Sequence, residues 1–378
     1  MNKLFDPANI EVSLPNSDLA DNVAKITVIG VGGGGCNMVD HMIREGISRV
    51  NLVVANTDLQ VLKSSKAPTT IQLGSELTKG LGAGMKPEVG RDSALESYDE
   101  ILDSLASADI VFIATGLGGG TGTGAAAVIA KAAKEVGALT VSVVTRPFRW
   151  EGNKRAGLAN MGLEELKEES DSIIIVSNER LLKITDQNST LKEAFKTVDN
   201  ILFQAVNGMS EVILNHGTND VNTDFADVKT VMQHRGIALM GIGEAIGENA
   251  AMDALNCAIE SPLLEQMELS DAKGILIHFN VHPGFSLIAI SEVMDHLYSM
   301  ANENVEIIFG TTTESELDEN KVRITIVATG FKTIADEMDS KKKPVVSKEK
   351  LNQQQNERVD DYNIPPLMRN YHLKYQLK

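Results

Sequence analysis

The chain has 378 residues, enough for two or three domains with buried cores, and 43% hydrophobic content with 4% aromatics marks it as globular rather than fibrous or disordered. Lys+Arg 35 against Asp+Glu 52 gives a net charge of −17, a field that repels phosphate backbones and anionic lipid and argues against non-specific DNA binding. Any phosphate must be held locally, by backbone N–H groups, a helix N-terminus or a metal ion.

Residues 1–22 are polar, carry Pro7 and Pro15, and read as a loosely attached arm. No apolar run reaches transmembrane length, and the first residues lack the form of a signal peptide. Two cysteines, Cys36 and Cys257, cannot build a disulfide framework, so a soluble cytoplasmic protein is expected. From Lys25, short β-branched runs alternate with amphipathic stretches: Lys25–Gly30, Asn51–Asn56, Thr70–Leu73, Ile110–Thr115, Thr140–Val144 and Ser172–Ser177. That is the pattern of βαβ units, and residues 23–190 are expected to form a Rossmann-like, doubly wound α/β domain. Apolar residues recur at helical spacing from Leu191 to His216, and Gly217 follows as a stop, which predicts one long central helix over 191–217.

Residues 218–330 are expected to form a second, α+β domain with a mixed sheet. Its strand candidates are Gly236–Gly241, Gly274–Val281, Val305–Thr311 and Val322–Thr329, with helices near Asp224–His234, Asn249–Ile259 and Leu287–Met300. Residues 331–358 hold too little apolar surface to order and read as a linker. Residues 359–378 contain an apolar island, Asp361-Tyr-Asn-Ile-Pro-Pro-Leu-Met-Arg369, which reads as a docking peptide followed by a tail.

The first strand runs into Gly30-Val-Gly-Gly-Gly-Gly-Cys-Asn37, where Gly30, Gly32 and Gly35 have the spacing that lets backbone approach a pyrophosphate at a helix N-terminus. Alone, this run favours an NAD-dependent oxidoreductase. A second run, Gly116-Leu-Gly-Gly-Gly-Thr-Gly-Thr-Gly124, follows the fourth strand and also opens a helix. Dinucleotide enzymes need no second cradle; two together could enclose a polyphosphate from both sides. A third segment, Lys79 to Gly90, is a candidate for the terminal phosphate or a plain surface loop. With no lysine or arginine inside the first two cradles, neutralising a triphosphate would rest on N–H dipoles and Mg²⁺. Cys36 is read as packing, and no zinc constellation is present in the sequence.

Gly118-Gly-Gly-Thr-Gly-Thr-Gly124 resembles the signature loop of tubulin, and residues 23–330 with the terminal peptide resemble the FtsZ family, the bacterial tubulin homologues that build the division ring. Asn56-Thr-Asp58, Arg146-Pro-Phe with Glu151 and Arg155, and Asn222-Thr-Asp-Phe-Ala-Asp227 share in that resemblance. It implies a GTP site formed by Gly32, Gly33, Gly34, Asn37, Ala83, Gly84, Gly116, Gly118, Gly119, Gly120, Thr121, Gly122, Thr145, Glu151, Arg155, Phe195 and Asp199, with Asn222, Asp224 and Asp227 catalytic. Phe195 and Asp199 are four apart and share a helix face, so a purine stacked on the ring can present its edge to the carboxylate. Guanine offers N1–H and an amino group there, whereas adenine N1 is an acceptor, so the pair selects guanine.

Asp224 and Asp227 fall in the first turn of a helix, where acids cap and favour the dipole; they could equally orient a water for attack on a γ-phosphate. Lying beyond the central helix, they are separated from the cradles by most of the subunit. The resemblance resolves this by head-to-tail stacking, each subunit lending its acids to the next in a homopolymer, with hydrolysis of GTP dependent on assembly. It also implies membrane-tethering and regulatory division proteins as partners of residues 361–369 and a location at midcell. Asn363 and Pro366 depart from the usual terminal motif. An inert, non-hydrolysing filament scaffold is the other alternative.

Overall fold

The stretch Ile26-Thr-Val-Ile-Gly-Val31 shows no polar alternation, and the strand it forms is buried along its whole length, as expected of a strand covered on both faces. The computed structural model describes residues 24–179, 190–214, 221, 224–234, 236–261 and 268–331. The expected arm and docking peptide lie outside the described residues, as do Asn222 and the expected linker beyond Phe331, a buried residue that ends the last strand instead of opening the linker.

In chain order the elements are β1 (Ile26–Val31), α1 (Gly32–Arg44), β2 (Val50–Asn56), α2 (Leu59–Ser64), β3 (Thr69–Gln72), α3 (Ser75–Thr78), α4 (Pro87–Glu96) and α5 (Tyr98–Leu105). There follow β4 (Ile110–Gly116), α6 (Thr121–Glu135), β5 (Leu139–Arg146), α7 (Asn153–Glu169), β6 (Ser172–Ser177) and the central helix α8 (Leu191–Leu214). The remainder comprises α9 (Phe225–Met232), β7 (Ile237–Ile246), α10 (Ala250–Ile259), β8 (Gly274–Val281), α11 (Leu287–Met300), β9 (Glu306–Thr313) and β10 (Lys321–Phe331).

The strands form one sheet in the order β3-β2-β1-β4-β5-β6-β7-β10-β8-β9. Strands β1 to β6 are parallel; β10 runs antiparallel to both β7 and β8, and β8 pairs parallel with β9, so the distal half is mixed. The halves join through β6 and β7, where Ile173 pairs with Ile237 and Ile174 with Ala238. The sequence suggests two separate sheets; that short parallel pairing makes them continuous.

The central helix sits where its apolar stripe dictates. Val198, Ile201, Leu202, Ala205, Met209, Val212 and Ile213 are all buried, in one core with α1, β1, β4 and β7. Each fully buried large aliphatic contributes about 1.5–3 kcal/mol, so the stripe outweighs the cost of Gly208 within the helix. The opposite face of the parallel strands is covered by α4 to α7, whose alanine-rich α6 lies close to the sheet.

Candidate functional site

Between β1 and β4 the strand order reverses, and this switch point is where open α/β sheets bind ligands. Both glycine cradles lie there, at the carboxyl ends of adjacent strands, with the N-termini of α1 and α6 opening beside them. They back onto one another: a Cβ on Gly32 would stand 2.8 Å from the amide N of Gly122, and one on Gly34 would stand 3.2 Å from that of Gly116. Gly33 and Gly119 instead have nothing within 4 Å of their Cβ positions. These two present bare backbone to a cleft of about 420 Å³. Helix N-terminal N–H groups favour anions, which a net-negative chain cannot attract at long range.

Gly33, Gly34, Asn37, Gly116, Gly119, Gly120, Thr121, Gly122, Thr145, Glu151, Arg155, Phe195 and Asp199 all line this cleft. The other four residues expected in the binding set are placed behind or beside it. Gly32 is the contact between cradles. Gly118, at φ 103°, donates its N–H to Thr123 Oγ1 at 2.9 Å, which turns the second loop rather than facing the cavity. Ala83 lies against Gly120, and Gly84, at φ 57°, stands in open space. The third glycine segment therefore adjoins the second cradle from outside.

At the other end, α1 carries Asn37 and α8 carries Phe195 and Asp199. One turn below Asn37, His41 fixes the seam by meeting Phe203 edge-on, ring centroids 6.0 Å apart. Burial holds the His41 imidazole below its usual range, with Glu45 opposing that shift. Burial also pushes the Asp199 carboxyl up to about 6, tempered by Arg44. On the flank, Glu151 is held at both oxygens: Oε1 accepts the Phe148 N–H at 2.9 Å, and Oε2 accepts from Arg155 Nη1 at 2.5 Å. The i,i+4 pair thus pins Arg155 at the cleft wall.

Sequence reasoning missed Asn178. It follows β6, lines the cleft and is buried, yet its Oδ1 has no hydrogen-bond partner among the described residues. A buried unpartnered amide oxygen is costly and marks a place where a ligand donor belongs. Its only sequence signal is being the polar residue at the carboxyl end of a strand. Met38, Thr115, Leu117, Pro147, Val198 and Leu202 complete the wall.

Asn56-Thr-Asp58 serves as a tie. Asn56 Nδ2 donates to Cys36 Sγ at 3.6 Å, Thr57 and Thr121 pair hydroxyl to hydroxyl at 2.7 Å, and Asp58 caps α2 by accepting the Gln60 N–H at 2.9 Å. The motif links β2 to both cradles. Burial drives the Cys36 thiol up to about 12, so it is a packing group and no nucleophile.

Asp224 and Asp227 are exposed and do not line the cleft. Asp224 occupies the N-cap of α9 with extended backbone, yet its side chain makes no capping hydrogen bond. From Asp199 to Leu214 the central helix runs roughly 22 Å away from the cavity, and the acids follow beyond it.

Residues 25–186 match the model of the tubulin/FtsZ family GTPase domain, and residues 236–332 match that of the FtsZ family C-terminal domain. The structure is similar to that of an empty FtsZ dimer from M. jannaschii, with 45% identity, a TM-score of 0.74, and coverage of 81% of this chain and 88% of that one. It shares its fold with GDP-bound monomeric CetZ1 from Haloferax volcanii, at 20% identity, TM-score 0.71, and coverage of 83% and 97%. The GTPγS-bound protofilament of CetZ2 from the same organism matches at 20% identity, TM-score 0.69, covering 88% and 99%. Two apposed cradles at one switch point, 45% identity to FtsZ over 81% of the chain and two consecutive domain matches lead to one conclusion: the chain belongs to the tubulin/FtsZ family of GTPases.

Proposed function

We propose that this protein hydrolyses GTP to GDP and phosphate within head-to-tail filaments of itself, and that those filaments form the bacterial division ring at midcell. One observation carries this reading. The cleft gathers both glycine cradles with Phe195 and Asp199, whereas Asp224 and Asp227, which follow the central helix in the chain, are exposed and do not line it. A second subunit stacked on the cleft would bring its own acids to the γ-phosphate. The 45% identity to a protein solved as a dimer, and a protofilament built on the same fold, support such stacking.

In that arrangement the base lies on Phe195, with Asp199 and Asn37 on its edge and Asn178 offering its buried oxygen. Glu151 and Arg155 flank the ribose and phosphates. The N–H groups of Gly33, Gly34, Gly119 and Gly120 take up phosphate charge, and the partner's two acids, joined by Asn222, orient the attacking water and accept its proton. Among the described residues no cluster of acids or imidazoles could cage a metal. A triphosphate's Mg²⁺ would therefore draw its shell mostly from water and phosphate oxygen. Residues 361–369 are assigned to membrane-tethering and regulatory division proteins. No described helix is long and apolar enough to cross a membrane.

The test is GTP turnover per subunit as protein concentration rises. A shared site gives a threshold and then activity that follows polymer mass. A rate per subunit independent of concentration, in molecules shown to be single by sedimentation, would sink the proposal.

A further inference from the structure

The chain that leads from the central helix to the acids is fixed at two described points by residues outside both cradle and acid motif. Arg49, in the turn between α1 and β2, sends Nη2 to the carbonyl oxygen of Leu214, the last residue of α8, at 2.6 Å. To do so it holds a left-handed backbone, φ 65°, which an L side chain adopts at a cost. A guanidinium there also meets the negative end of the helix dipole and one of the last-turn carbonyls that no helix can satisfy by itself.

Val221 is gripped from the other side. Its N–H donates to Thr311 Oγ1 at 2.9 Å, and its carbonyl accepts the Thr311 N–H at 3.0 Å, a two-way tie onto β9. Beyond the acids, the end of α9 is held as well, where Thr329 Oγ1 donates to the Val231 carbonyl at 2.7 Å.

The acids are thus held from both sides. Asp224 opens α9, whose Val228, Val231 and Met232 are buried in the same core as the central helix, and Val221, three residues before it, fixes the approaching chain. Orienting a water in line with a phosphate needs placement finer than one anchor gives.

Building on the filament reading above, we infer that Arg49 and Thr311 are positioning residues for hydrolysis: they set the angle and height at which one subunit offers Asp224 and Asp227 to the cleft of the next. Neither touches nucleotide in its own subunit. Their loss should therefore slow turnover without weakening GTP binding.

The test compares Arg49→Ala, Thr311→Val and the double variant with Asp224→Ala, measuring GTP affinity, sedimentable polymer and turnover per polymerised subunit. The double variant is expected to keep its GTP affinity within about twofold and to lose roughly tenfold in kcat. Arg49→Lys and Thr311→Ser, which retain a donor and an acceptor, should recover most of it. Hydrogen exchange at the Val221 amide gives a readout free of turnover: Thr311→Val should expose this amide while leaving the β8 ladder protected.

Wild-type turnover per polymerised subunit in the double variant, beside a dead Asp224→Ala, overturns the inference and leaves the filament reading intact. So does a slowing matched by lost GTP affinity, or unchanged protection at Val221. Normal hydrolysis by Asp224→Ala overturns the filament reading itself.

Discussion

Phe195 meets Phe148 edge-on, ring centroids 5.7 Å apart at 82°, and Trp150 stacks on the same Phe148 at 5.3 Å and 16°. This aromatic relay runs from the cleft wall to an indole that is 60% exposed. Trp150 is the single tryptophan of the chain, so its emission reports one place. A base that stacks on Phe195 will restrain that ring and alter the environment passed through Phe148. GTP is expected to change tryptophan emission saturably, and Trp150→Phe to abolish the signal while leaving turnover intact. Phe195→Ala should weaken binding by about 1–3 kcal/mol, the usual worth of a base–aromatic stack. A titration in which GTP binds by another assay and emission stays flat would refute the relay.

Asp199 gives two pH effects of opposite sign. Its carboxyl is raised by burial from 3.8 to about 6, so the folded protein binds this proton more tightly than the unfolded chain does. By linkage, its contribution to stability is full below pH 4 and is lost as pH rises through about 6. In the proposed binding mode guanine recognition would run the other way, because only the ionised carboxylate accepts both N1–H and the amino group. Lowering pH from 7 to 5 should thus favour the nucleotide-free fold through this site and weaken GTP binding. Asp199→Asn is expected to stabilise the empty protein at pH 7 by about 1–2 kcal/mol, after allowing for partial exposure, while costing at least tenfold in GTP affinity. Thermal melts and binding curves at both pH values check the two signs; an Asn variant that melts lower when empty contradicts the burial argument.

The strands were legible because fully buried β-branched runs leave few other options, and Ile26–Val31 and Ile110–Gly116 fall within a residue of where periodicity puts them. The two cradles were legible because glycine at a strand-to-helix junction has few other uses. What stayed hidden depends on distance in space. Nothing near Ile173 announces that β6 will pair with β7 across the central helix, since both edges read as ordinary buried strands. Asn178 carries no spacing partner, and its importance lies in an oxygen left without a donor. Asn56-Thr-Asp58 shares in the family resemblance without its spacing saying what it does; its side chains are engaged with Cys36, Thr121 and the start of α2.

Gly33 and Gly35 are two apart and have different tasks. A Cβ on Gly35 would collide with the Ala114 carbonyl oxygen, backbone that cannot move without displacing β4. On Gly33 it would enter open cleft. Gly35→Ala is expected to destabilise the fold by at least about 2–3 kcal/mol, as overpacking against fixed backbone does. Gly33→Ala should melt at or above the wild-type temperature, given the better helix propensity of alanine, and yet bind GTP far more weakly because its methyl occupies phosphate space. Paired melting and binding measurements suffice; equal loss of stability in the two variants would contradict this division of labour.

The two ends of the subunit each expose apolar side chains. Leu81, beside the second cradle, is 85% exposed, while Leu287 and Ile288 are 78% and 72% exposed at the start of α11, which begins six residues after the carboxyl end of β8. Thr311, the tie for Val221, pairs near that same end, so Ile288 and the acids share one pole of the subunit. Burying such a leucine or isoleucine is worth about 1.5–3 kcal/mol, so a glutamate in its place should weaken a stacked contact at least tenfold. Leu81→Glu and Ile288→Glu are each expected to sediment as single molecules with normal GTP affinity and little turnover. Mixed in equal amounts they should complement one another. The intact acid pole of Leu81→Glu can dock on the intact cleft pole of Ile288→Glu, giving a dimer that holds one complete site. Turnover by the mixture well above the sum of its parts is the expected outcome. Strictly additive rates, with both proteins folded and loaded with GTP, would show that these two surfaces do not face each other.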